Sequence, residues 1–213
     1  MRDVIFLVAD GSIGQMLLGF LGRPQFHRSL GCGPFDFEPS DIIPHDRRDP
    51  GVYRDGPELL RIYQKTHARA VILLDNAWEG SPGPAKIHDD LTRRLRDTWD
   101  QFAVIVLDPE LEAWVWQDNP QVATALGCPA DFRETLARSG HWPRDKDKPP
   151  DPKAALDYLQ RKYRDLRRDG YRVDRSPALF RRLASRISVQ GCVDPAFLRL
   201  RDTLRGWFPG ETL

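Results

Sequence analysis

Val4-Ile5-Phe6-Leu7-Val8-Ala9-Asp10-Gly11-Ser12 is the stretch on which the fold turns. Its apolar run is rich in β-branched residues, too short for a helix and free of polar alternation. Such a run reads as a strand covered on both faces, the habit of parallel sheets. It stops at an acid and a glycine. Behind it Ile13, Leu17, Phe20 and Leu21 recur at helical spacing, with Ser12 as the expected N-cap. The same unit returns twice. Ala70-Val71-Ile72-Leu73-Leu74 ends on Asp75, and the loop Gly80 to Pro84 leads into a helix from Ala85 to Trp99. Ala103-Val104-Ile105-Val106-Leu107 ends on Asp108. Buried strands alternating with helices predict an α/β fold: a parallel-rich sheet flanked by helices over residues 1–118. In such sheets ligands gather at the carboxyl ends of the strands.

Between the first two units the pattern is weaker. Phe35-Asp36-Phe37-Glu38 reads as a short edge strand. Asp41 to Asp55 reads as a polar, proline-broken loop in which His45 is solvated. Pro57 reads as the first-turn residue of a helix running from Glu58 to Ala68. After Trp116 the chain turns helical. Segments Pro120–Leu126, Pro129–Arg138, Lys153–Arg168, Pro177–Ser188 and Pro195–Trp207 predict a helical C-terminal region, residues 119–213, packed on the sheet domain.

Length and charge set bounds. The 213 residues suit one domain, or one domain with a helical appendix. Lys and Arg number 32 against 31 Asp and Glu, a net charge of +1, which excludes a histone-like basic protein and an acidic tail but leaves room for a local basic face. No apolar run approaches the roughly 20 residues of a membrane-spanning helix, so no membrane partner is expected. Cys32, Cys128 and Cys192 are scattered and read as free thiols. With no leader-like N-terminus, they point to the cytoplasm. Neither a phosphate-binding Gly-rich motif nor a Gly-x-Ser-x-Gly elbow is present.

Chemistry is best sought at the strand ends. Asp10, Asp75 and Asp108 fall along one edge of the expected sheet, and Glu79 and Glu112 follow Asp75 and Asp108 at equal spacing. Carboxylates that converge repel one another unless a cation sits among them, and a hard ion such as Mg²⁺ takes oxygen ligands. The plainer alternative is that each aspartate caps a turn or helix.

The segment Glu110-Leu111-Glu112-Ala113-Trp114-Val115-Trp116-Gln117-Asp118, set behind strand–acid–Gly–helix and strand–Asp–loop, resembles a Glu-x-Glu-Ala-Trp signature. It is similar to that of TOPRIM-like families of bacterial phage-defence islands, relatives of OLD nucleases, primases and topoisomerases. The likeness covers about residues 3–120. A looser likeness is to a small component of a methylation-associated defence system. The resemblance implies a Mg²⁺- or Mn²⁺-dependent nuclease or phosphoryl-transfer site. Asp10 and Glu112 would be its catalytic acids, and Asp10, Asp75, Glu79 and Asp108 its metal ligands. The sequence departs from the family at two points. Asp10 is shorter than the family's first-strand Glu, and Asp75-Asn76-Ala77 lacks the second acid of Asp-x-Asp. A catalytically degenerate accessory subunit that binds other defence-operon proteins is therefore the competing expectation.

A partner surface is expected in the helical region. Arg182, Arg186 and Arg201 lie in a stretch poor in acids and suit phosphate contact, hence nucleic acid. Trp207 and Phe208 near the C-terminus suit a protein interface.

Overall fold

A computed structural model describes residues 1–117, 119–163 and 176–210. The strands are β1 (Arg2–Val8), β2 (Ile42–Pro44), β3 (His67–Asp75) and β4 (Phe102–Leu107). They form one sheet in the order β2-β1-β3-β4, and every neighbouring pair is parallel. The helices are α1 (Gly11–Leu21), α2 (Phe26–Leu30), α3 (Arg48–Leu60), α4 (Pro84–Arg96), α5 (Pro120–Leu126), α6 (Phe132–Arg138), α7 (Pro152–Lys162), α8 (Pro177–Ala184) and α9 (Pro195–Trp207). The expected α/β class is thus the observed one.

The central strands β1 and β3 are apolar because helices cover both of their faces. Val4 to Val8 and Ala70 to Leu74 are completely buried. Helices α3 and α4 pack against β1, β3, β4 and each other; α1 packs on β1 and β2 and is covered by α8, while α9 packs on β4. The α1–α8 contact is close because of Gly19. A Cβ there would lie 2.6 Å from both Ala184 Cβ and the Arg181 carbonyl oxygen. Phe20 of α1 meets Phe197 of α9 with ring centroids 5.7 Å apart, closing this side of the core.

Several local expectations are corrected. The N-cap of α1 is Asp10, not Ser12: its Oδ1 accepts from the Ser12 amide (2.8 Å) and the Ile13 amide (3.0 Å). The edge strand is Ile42–Pro44, inside the segment read as a loop, while Phe35 to Glu38 forms no strand. The expected helix Glu58–Ala68 is displaced: α3 begins at Arg48 and carries Pro57 in its interior. His67 and Ala68, expected at the end of that helix, belong to β3 instead. The expected helix Lys153–Arg168 is seen as far as Lys162 with Tyr163 as its C-cap, and residues 164–168, like Asp118, lie outside the described residues.

A proline within a helix removes the amide that would bond the carbonyl four residues back. Here that carbonyl, on Tyr53, accepts from Arg94 Nη1 at 2.7 Å, and Arg94 Nη2 bonds the Arg54 carbonyl (2.5 Å) and Glu58 (2.6 Å). One guanidinium of α4 thus replaces the missing donor and locks α3 to α4. Arg94→Ala should lower stability in urea melts by about 1.5–3 kcal/mol, the usual range for a charged hydrogen bond. Pro57→Ala should recover part of that loss in the Arg94→Ala background, because it returns an amide to Tyr53. An additive double variant would show that the carbonyl is not the relevant acceptor.

Candidate functional site

Parallel pairing brings the carboxyl ends of all four strands to one edge. The residues found there are His45 after β2, Asp10 after β1, Asp75 closing β3 and Asp108 after β4. Asp75 is the centre of a carboxylate cluster. Its Oδ1 accepts from the Leu111 amide at 3.0 Å, and its own backbone amide donates to Asp49 Oδ1 at 2.7 Å. Asp49 reaches this position because α3 starts early. Arg48 adopts φ 53°, in the left-handed region that favours glycine, and delivers Asp49 into the first turn. Behind β4, Glu110 and Glu112 are buried, at 8% and 6% exposure, on either side of the start of a 3₁₀ turn, Leu111–Trp114.

The electrostatic consequence is large. The Asp75 carboxyl is held well above the ordinary carboxylate range, first by burial and then by the charges of Asp49, Glu112, Asp10 and Glu110, in that order. Asp49 is raised too, by burial and by Asp10, against the hydrogen bond from the Asp75 amide. Lys153 of α7 stands 3.8 Å from Glu110, and the charge of Arg48 acts on Asp49.

The residues expected from sequence separate into two groups. Asp10, Asp75 and Glu112 share the cluster. Glu79 is exposed on the loop before α4, and Asp108 is exposed, accepting from Asn76 Nδ2 at 3.0 Å; neither is among the charges that weigh most on Asp75. Sequence reasoning missed Asp49 and left Glu110 without a role. Pro50 in the first turn of α3 was the available signal for Asp49, since proline favours that position.

His45 is buried rather than solvated. Its Nδ1 accepts from the Arg47 amide at 3.1 Å, and its Nε2 lies 3.0 Å from Asp55 Oδ1. Gly51 admits the ring: a Cβ there would fall 2.5 Å from His45 Cε1.

The expected partner surface is used internally in large part. Arg182 bonds the Ala125 carbonyl through Nε (3.2 Å) and Nη2 (3.1 Å), and Arg201 bonds Asp202 at 3.0 Å; Arg186 is exposed. Phe208 stacks on Phe35 with centroids 4.5 Å apart, beneath the Arg69 guanidinium, and half-buried Trp207 packs on the core. Cys32 and Cys192 are buried with raised thiol pKa values, and burial pushes the partly buried Cys128 up to about 12, so all three are poor nucleophiles.

No protein-family model, curated protein or solved structure matches this chain. No helix among the described residues is long and apolar enough to cross a membrane.

A raised carboxyl pKa means that the folded state binds the Asp75 proton more tightly than the unfolded chain. Its contribution to stability is therefore full at low pH and declines as pH rises from about 4 through the folded value. Asp75→Asn keeps the acceptor for Leu111 and removes the charge. In chelator, its urea midpoint should exceed that of the parent, by a margin that widens between pH 5 and pH 8. A margin constant with pH would show that Asp75 does not carry the repulsion.

Proposed function

We propose that the C-terminal edge of the sheet is a Mg²⁺- or Mn²⁺-dependent phosphoryl-transfer site of TOPRIM type, acting on nucleic acid in bacterial antiviral defence. One observation carries the reading. Asp10, Asp49 and Asp75 converge from three different elements, and each is pinned through Oδ1 to a backbone amide. Among the described residues, no hydrogen bond engages the Oδ2 atom of any of the three. Carboxylates so fixed have an oriented oxygen available for a ligand, and crowded anions favour a cation.

The donor chemistry suits a hard divalent ion, being all oxygen from Asp10, Asp49, Asp75 and Glu112, but these side chains are not gathered as a metal site among the described residues. Such an ion would supply charge stabilisation to phosphoryl oxygens. The chain's own residues do the rest. Two amides of α1 hold Asp10 in one orientation, which suits it to accept a proton. Glu112 is the second proton carrier, placed by the turn after β4. Asp75, whose carboxyl pKa is raised by burial and by its acidic neighbours, would be among the residues that hold the ion. The likeness of the Glu110 to Gln117 segment to TOPRIM-like families supports both the reaction class and the defence setting.

A second reading, a non-catalytic accessory subunit bound to other defence proteins, draws on another observation. Among the described residues, no group of three or more His, Cys, Asp or Glu side chains is already gathered as a metal site. The catalytic reading therefore requires the carboxylates to draw together around the ion.

Melting separates the two. With millimolar Mg²⁺ or Mn²⁺ the melting temperature should rise by several degrees, because only the folded chain assembles the ligands. Asp75→Asn and Asp49→Asn should abolish the rise. The parent protein with Mn²⁺ should cleave single- or double-stranded DNA or RNA, and Asp10→Ala should not. A flat melting temperature together with intact nucleic acid would transfer the conclusion to the accessory reading.

A further inference from the structure

Beside the carboxylate cluster lies a cleft of about 440 Å³, at the carboxyl end of β4 between the first turns of α4 and α9. Small-molecule sites span roughly 300–1,000 Å³, so the cleft is large enough for one nucleotide unit. Its polar wall comprises His88, Asp89, Asp108, Asp194 and Arg199, and its apolar floor includes Val106. The cleft lies at the same edge of the sheet as the candidate site: Asp108 on its wall accepts from Asn76, the residue after Asp75.

The charges on this wall are not equivalent. Buried Asp194 is committed inward: it accepts from Trp114 Nε1 (3.0 Å) and from the amides of Ala196 and Phe197, and it faces Lys148 at 3.7 Å. Asp89 lies 3.2 Å from His88 Nδ1. Arg199 is different. It is exposed, and among the described residues no carboxylate pairs with it. Among the described residues, a chain with nearly equal numbers of acids and bases leaves this guanidinium without a carboxylate partner in a cavity at an acidic edge. Guanidinium binds phosphate in a two-pronged fashion. Asp108 opposes an anion on its own side of the cleft but accepts hydrogen bonds from sugar hydroxyls or base amines. A ligand that offers an anion to one side, donors to the other and a flat apolar face to the floor is a nucleotide.

We infer that the cleft between α4 and α9 is a subsite for a phosphate-bearing nucleotide unit, with Arg199 as its anion contact. This names the substrate class of the proposed site and rests on that reading. Arg199 is a positioning residue, holding a phosphate in the cleft at the carboxyl end of β4. The unit comes from a nucleic-acid strand or from a free nucleotide, and the chemistry is shared.

Calorimetric titration of the full chain in EDTA tests the subsite without involving any metal. The probes are inorganic phosphate, a nucleoside monophosphate and a single-stranded oligonucleotide. The oligonucleotide or the monophosphate should bind more tightly than phosphate. Arg199→Ala should weaken that binding at least tenfold, and Arg199→Lys should restore part of it. Asp108→Asn should not weaken phosphate contact. Arg96→Ala, an equally exposed charge at the other end of α4, should change affinity less than twofold. If the source is a strand, Arg199→Ala also lowers the slope of log affinity against log salt by about 0.7, one phosphate of a single strand. If the source is a free nucleotide, the monophosphate binds as well as the oligomer. Unchanged affinity in Arg199→Ala, equal loss in Arg96→Ala, or no binding of any probe overturns the subsite. Failure of the metal reading is distinct: it shows as a missing Mg²⁺ or Mn²⁺ melting shift while Arg199-dependent binding persists.

Discussion

Parallel strands must all end at the same edge, and in this protein that edge collects negative charge. Val8 pairs with Leu73 and with Pro44, and Asp75 pairs with Leu107, so the first polar residue beyond each strand enters a common rim. Burying like charges side by side is costly, and the fold offsets the cost with dipoles more than with cations. Backbone amides of Ser12, Ile13, Asp75 and Leu111 point at the carboxylates. Among the described residues, Lys153 stands near Glu110 and the charge of Arg48 acts on Asp49. The rim's carboxylates are thus oriented by backbone amides and crowded by like charge, and the perturbed carboxyl of Asp75 lies among them.

The rim is tied to the helical half of the molecule by the turn after β4. Trp114 and Trp116 are fully buried, and each indole N–H crosses to the C-terminal half: Trp114 to Asp194, Trp116 to the Pro152 carbonyl at 2.9 Å. Asp194 in turn caps α9. A segment with an enzyme-like appearance in sequence therefore has an architectural duty as well. It fixes α9, and with α9 the Arg199 wall of the cleft, against the strand edge.

Several of the chain's arginines act within the fold. Helix ends leave carbonyls without partners, and guanidinium groups satisfy them across long sequence separations. Arg23 bonds carbonyls at the end of α8, Arg182 bonds one at the end of α5, Arg205 bonds Leu30 at the end of α2, and Arg94 repairs the gap at Pro57. Arginine-rich helices therefore read as a nucleic-acid face only after these internal duties are subtracted. Arg199 remains after the subtraction, whereas Arg182 does not.

The sequence by itself determined the α/β class, the strands around Val4–Val8, Ala70–Leu74 and Ala103–Leu107, and the placement of Asp10, Asp75 and Asp108 at strand ends. Those features follow from local apolar runs and from the chemistry of the residues that stop them. What stayed illegible depended on distant partners. Strand β2 is three residues long and draws its identity from pairing with β1, so no local pattern announces it. Helix α3 runs through Pro57 because Arg94, 37 positions on, supplies the missing donor. His45 is buried because Gly51 leaves room for its ring. The membership of the carboxylate cluster was settled in the same way. Asp49 joins and Glu79 does not, since proximity at a sheet edge is set by where a helix starts and a loop turns, and only the packed tertiary structure decides that.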